Sequence, residues 1–332
     1  MGCPPTDGDG DAGDAGDNKP SWKQAFQAHD RGWLLSVAGR SADAMYAVGG
    51  ELAGDGDPED GLMMRRGADR WREVELPEDV PLLTWVHVFE DGTPVVAGNQ
   101  GTILWKRDGE WVRESTPTDQ NLWGVWGASP DDVWAVGGNG TADDGTPTVL
   151  RYVGSSWSSV ELPDLEHVDV FAFFKVWGTG PDNVFIVGQR GIVLRWNGEK
   201  LVEQFTGTNR DLISLWGTGP DNIAAIGGRA TGVLAQWDGQ EWTSQSLSPL
   251  PGMNGIWMPS PNRAWVAGVR GHIVSLDLEA PLENQQITRI QTRKNFHAIY
   301  GLPGTGLFAV GGTLTNREGP YQGIAKERAF AE

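Results

Sequence analysis

One short unit recurs along this chain, and it constrains the fold more than any other feature. Its clearest copy is LWGVWGASPDDVWAVGG at residues 122–138, and it returns as KVWGTGPDNVFIVGQ at 175–189 and SLWGTGPDNIAAIGG at 214–228. Weaker copies are GIWMPSPNRAWVAGV (255–269), AIYGLPGTGLFAVGG (298–312), SVAGRSADAMYAVGG (36–50) and WVHVFEDGTPVVAGN (85–99). The glycine that closes each copy falls at Gly49, Gly98, Gly137, Gly188, Gly227, Gly268 and Gly311. A mean spacing of about 44 residues is the length of four short strands with their turns.

Each copy reads as strands. A short apolar run ends in Trp-Gly, Pro-Asp-Asp or Pro-Asp-Asn supplies turn chemistry, and a run of β-formers follows. The third strand is TILWKR (102–107), IVLRW (192–196) or VLAQW (233–237), and Asp108-Gly109, Asn197-Gly198 and Asp238-Gly239 are hairpin signals into a fourth strand. The last copy stops after its third strand, while residues 21–26, SWKQAF, resemble a fourth strand standing alone. The chain therefore reads as an all-β, seven-bladed β-propeller of four-stranded antiparallel blades over residues 21–332. Its N-terminal strand completes the last blade and closes the ring, which removes two free sheet edges. Residues 1–20 read as a disordered acidic tether, five Asp against one Lys.

Counting back eleven residues from each closing glycine gives Ala38, His87, Trp126, Trp177, Trp216, Trp257 and Tyr300. Large aromatics at five of seven matching places are expected to fill the wedges between blades, and truncating a buried one such as Trp216 is expected to cost about 3–5 kcal/mol. The worn places, Ala38 and His87, are neighbours in repeat order.

The segment VWGTGPDNVFIVGQRGIVLRWNG (176–198) resembles the repeats of secreted or lipid-anchored bacterial propellers, and more loosely those of photosystem II assembly and stability factors and of BNR-repeat proteins. No SxDxGxxW box of the sialidase type is present. The start Met1-Gly2-Cys3, followed by a Pro-, Asp- and Gly-rich stretch, resembles a mature bacterial lipoprotein with Cys3 as the lipidation site. The resemblance implies an extracytoplasmic protein at the outer membrane or cell surface, with a periplasmic or secreted protein as the alternative, touching membrane only through that anchor.

The formal net charge of −18 argues against nucleic acid as a partner. None of His29, His87, His167, His272 and His297 shows zinc-site spacing, and no nucleophile–base pair or phosphate loop stands out. No cofactor is expected, with weak calcium binding as the alternative to plain exposed polar loops: Asp55, Asp57 and Asp60 lie in an insertion of the first repeat, Asp143 and Asp144 in the matching insertion of the third. The insertions 50–61, 138–147 and 312–323 crowd one face. The expected function is a binding scaffold recognising a protein, peptide or glycan on that face or at the channel mouth, with Trp85, His87, Trp123, Phe174 and His297 as candidate contacts. The second reading is a carbohydrate-active propeller enzyme, a glycoside hydrolase or lyase, which needs carboxylates converging at the channel mouth.

Overall fold

Alternating apolar runs and Gly- or Pro-punctuated turns make each repeat a four-stranded antiparallel sheet, and the computed structural model contains seven of them. It describes residues 21–330 except 27, 29–30, 53–57, 69, 141–144, 167–168, 291 and 314–321. In blade three, Leu122–Ser129 pairs with Asp132–Gly137, which pairs with Thr148–Val153, which pairs with Trp157–Ser159. The first strands of blades one to seven are Trp33–Ser41, Leu83–Val88, Leu122–Ser129, Phe173–Gly180, Leu212–Gly219, Met253–Ser260 and Asn295–Leu302.

The ring closes as the sequence anticipates. Lys23–Gln24 forms the outer strand of blade seven, opposite Ile324–Arg328, with Lys23 facing Glu327 and Gln24 facing Lys326. Lys23 Nζ lies 3.2 Å from Glu327 Oε1, and Ala25 N–H donates to the Ala325 carbonyl.

The core is a set of clusters shared by adjoining blades rather than one central mass. Val95, Ile103 and Trp105 of blade two pack with Leu122, Val133 and Leu150 of blade three, and Phe185 and Val193 of blade four pack with Leu215 and Ile223 of blade five. A single blade cannot bury both of its faces, so the stack depends on its neighbours.

The Trp-Gly pair of the repeat is a two-part joint. A Cβ added to Gly178, Gly217 or Gly301 would stand 2.8, 2.6 or 2.4 Å from the ring of Trp126, Trp177 or Trp257 on the preceding blade. Each tryptophan thus lies in the hollow left by the glycine that follows the next blade's aromatic. Tyr300 of blade seven continues the pattern into blade one, where its hydroxyl donates to the Gly39 carbonyl at 2.6 Å. At the worn places the seat differs: Ala38 packs with Val88 in one cluster, while the glycine facing His87, Gly127, is kept and a Cβ there would stand 2.8 Å from the Phe89 ring. Blade six has Met258 in place of the glycine, and Trp216 stays half-buried, its ring 5.9 Å from Tyr300 and lining the channel. Trp216 still packs against the clusters on both sides of blade six but, like Trp177, is only half-buried; Trp126 and Trp257, at 8% and 6% exposed, are the fully enclosed ones.

The closing glycines have a separate cause. A Cβ at Gly137, Gly227 or Gly311 would stand 2.0 Å or less from the carbonyl oxygen of Asn121, Asp211 or Asn295, at the entry to the same blade's first strand.

The joint makes a double-mutant test. Trp257→Ala is expected to cost about 3–5 kcal/mol in urea unfolding and Gly301→Ala about 1–3 kcal/mol. The double variant is expected to lose clearly less than the sum, because the added methyl then occupies space the ring has left. Additive losses would show that ring and glycine do not share a joint.

Candidate functional site: the central channel and the loop-rich mouth

All seven first strands carry the same irregularity near their entry. The ladder to the second strand skips one residue: Leu35, Thr84, Trp123, Phe174, Ile213, Asn254 and His297. Such a bulge bends the strand and re-aims the extra side chain. Thr84 Oγ1 donates to the Ala97 carbonyl and, across the blade boundary, to that of Leu122, while Asn254 Nδ2 donates to the Phe296 carbonyl of blade seven. Three of the expected contact residues, Trp123, Phe174 and His297, therefore share one ring of bulges. Trp123 Nε1 donates to the Gly138 carbonyl at 2.8 Å and so anchors the start of the blade-three insertion. His297 Nε2 is buried without a hydrogen-bond partner. Phe174 lies with its ring 5.3 Å from the Arg229 guanidinium of blade five.

One residue further on, the matching places hold Ser36, Trp85, Gly124, Lys175, Ser214, Gly255 and Ala298. Here the channel widens into a cavity of about 500 Å3, walled by Trp85, His87, Trp126, Lys175, Trp177 and Trp216 among others. The worn places Ala38 and His87 are part of this wall. Lys175 is the one charged residue in its ring of seven. It is 7% exposed, its Nζ donates to the Trp123 carbonyl at 3.1 Å, and it stands 3.1 Å from the centre of the Trp85 ring. Burial pushes its amine well below the usual lysine range. Trp85 and His87 thus belong to the cavity, while Trp123, Phe174 and His297 belong to the mouth.

A second depression, of about 540 Å3, lies on the loop-rich face over blades three to five. Arg190, Arg210 and Arg229 line it, with Asp169 and Asp211 as the carboxylates. Asp211 is occupied: it accepts from Arg229 Nε at 2.8 Å and from the Arg190 backbone N–H at 3.1 Å. Gln189 ties the floor together, its Oε1 accepting from Phe171 and Ala172 N–H and its Nε2 donating to the Gly140 carbonyl. The Arg190 and Arg210 guanidinium groups carry no ion pair among the described residues. In a chain of net charge −18 this is a local cationic groove.

The expected metal ligands gain no geometry. Asp55, Asp57, Asp143 and Asp144 lie outside the described residues, as does Cys3, the expected lipidation site, and Asp60 is exposed at the start of a strand opposite Glu51. Among the described residues no group of three or more His, Cys, Asp or Glu forms a metal cluster. Glu90 is the one carboxylate among the described residues of the channel wall, so the glycosidase reading finds no converging pair there.

The comparisons with known proteins agree with this architecture. No family model matches the chain. Over 93 residues it is 31% identical to the photosystem II assembly lipoprotein Ycf48 of Trichormus variabilis and, equally, of Nostoc. That match covers 27% of this chain, which spans about 25% of the length of the curated relatives. Among solved structures, one described as YCF48 bound to D1 peptide superposes with a TM-score of 0.65 at 16% identity, over 95% of this chain and 96% of the other. YCF48 from Cyanidioschyzon merolae gives 0.65 at 13% identity over 93% and 98%, and the WD40 propeller of Doa1 gives 0.67 at 8% over 94% and 98%. The likeness to Ycf48 is local in sequence and global in fold.

The two channel histidines set a pH dependence. Burial, aided by the Arg40 charge and opposed by a hydrogen bond to the Gly127 backbone, lowers His87 to about 3. Burial, opposed by a hydrogen bond to the Gly312 backbone, lowers His297 to about 4. The unfolded chain takes up these protons near pH 6.5 and the folded chain refuses them until about pH 4 or below, so stability falls as pH drops through that window. His87→Gln and His297→Gln are each expected to flatten the decline between pH 7 and 5, recovering up to about 2 kcal/mol at pH 5. Parallel pH profiles for wild type and both variants would contradict the assignment.

Proposed function

We propose that this chain is a peptide-binding scaffold that holds an extended acidic segment of a partner protein across the loop-rich face of blades three to five. The observation that carries this reading is the groove of Arg190, Arg210 and Arg229, two of them without ion pairs and the third laid on Phe174. Guanidinium groups in a shallow, polar depression suit carboxylates arriving on a flexible chain, and an adjoining aromatic ring suits an apolar side chain beside them. A neighbour of the same fold, YCF48 bound to D1 peptide, supports a peptide rather than a small molecule as the occupant of such a surface.

The finer reading places the protein outside the cytoplasm, tethered through a lipid on Cys3 with residues 4–20 as the spacer. The name lipoprotein borne by the curated relatives supports it, as does the Pro-, Asp- and Gly-rich composition after Cys3. Calcium at Asp55, Asp57, Asp60, Asp143 and Asp144 belongs to the same proposal.

Fluorescence anisotropy with labelled peptides tests the reading. A peptide carrying several Asp or Glu beside an aromatic residue is expected to bind, and Arg190→Gln with Arg210→Gln is expected to weaken it roughly tenfold. Affinity is expected to fall with added salt. An affinity unchanged by the paired substitution, or equal binding of a Lys-rich peptide, would overturn the proposal.

A further inference from the structure

The channel cavity asks for a ligand of its own. Lys175 enters it from blade four, crosses the place of Gly124 in blade three and ends over the Trp85 ring of blade two. Glycine at 124 is what lets the two strands approach, since a Cβ there would stand 3.0 Å from Lys175 Cα. An ammonium has three N–H donors. The Trp123 carbonyl takes one, the face of Trp85 meets the charge, and no carboxylate among the described residues pairs with it. A cation buried there without a counter-ion is costly, so burial favours the neutral amine, and a carboxylic acid arriving with its proton restores the ammonium and pairs with it.

The rest of the wall fits an organic anion rather than an inorganic one. Trp126, Trp177 and Trp216 supply apolar faces, and Ser214 stands at the place matching Lys175 on the adjoining blade. The Tyr300 hydroxyl is already committed to Gly39. His87 is held neutral, so it adds no second cation within the cavity. Arg40 and Glu90 both reach the wall but are exposed at its rim, where Arg40 Nε donates to the Val88 carbonyl. A volume of about 500 Å3 lies within the range of small-molecule sites, about 300–1,000 Å3.

We propose that this cavity binds a small carboxylic acid with an aromatic or aliphatic body, Lys175 taking the carboxylate and the tryptophan faces enclosing the rest. The site is separate from the arginine groove and does not depend on it.

Isothermal titration with phenylacetate and its neutral counterpart phenylacetamide tests this on the whole chain. Phenylacetate is expected to bind one per chain, roughly ten- to a hundredfold tighter than the amide, as for a charge-assisted hydrogen bond in a buried site. Lys175→Met is expected to abolish that preference while the melting temperature holds or rises, because a buried polar amine with unmet donors is replaced by an apolar side chain of similar length. Arg190→Gln with Arg210→Gln is expected to leave phenylacetate binding unchanged, which separates this site from the peptide groove. A wild-type crystal soaked with para-bromophenylacetate gives a readout that needs no variant: the bromine signal is expected in the channel, with the carboxylate in hydrogen-bond reach of Lys175 Nζ. Equal binding of acid and amide, a preference that survives Lys175→Met, or bromine found only at the arginine groove would overturn the proposal.

Discussion

The ring is fastened most tightly where a blade offers a glycine seat to its neighbour's tryptophan, as Gly178, Gly217 and Gly301 do for Trp126, Trp177 and Trp257. Burying an indole removes a large apolar area from water, and the glycine opposite admits it without forcing the strands apart. Because the joint recurs, most first strands are held at one depth around the axis, and their bulged entries form a ring rather than a scatter. The exceptions follow the same logic. Ala38 meets Val88, a small side chain against a large one, and Trp216, faced with Met258, remains in the channel and narrows it beside Tyr300. Shaping the channel and joining the blades are one physical problem solved by the same residues.

Much of this was legible in the sequence, for particular reasons. The closing glycines recur because another strand's carbonyl occupies the space of a Cβ, and such a steric demand leaves the same letter in every repeat. The lone SWKQAF segment announced the closure because a blade one strand short exposes an edge. Lys175 was harder to see. Within FFKVWGTG it reads as a solvated lysine in a strand, and only alignment of the bulges shows that Ser, Trp, Gly and Ala fill the matching places. The arginine groove left a similar trace: counting two residues past the closing glycine gives Arg190, Arg229 and Arg270 in three successive blades. Arg210 has no such periodicity, since it sits in a connection between blades, where length and sequence vary. The aspartates suggested for calcium fall mostly on residues outside the described structure, so their pattern in sequence stands alone.

The two cationic features divide the channel region by chemistry. At the mouth, exposed guanidinium groups face water, where their attraction is modest, additive and screened by salt. Inside, one amine is shielded by indole faces, where a single charge counts for far more and only a ligand small enough to enter can meet it. The acidic body around both makes them contrast: a surface that repels negative charge nearly everywhere else would make the proposed sites selective with little contact area.

The most direct test of the account is hydrogen–deuterium exchange of the whole chain with and without a saturating acidic peptide. The proposed peptide groove calls for slowed exchange at residues 189–191, 209–211 and 229–231, on the loop-rich face of blades four and five, with the strands of the ring unchanged. Protection appearing instead at the turns 130–132, 181–183 and 220–222 on the opposite face, or spread through the strands, would contradict it.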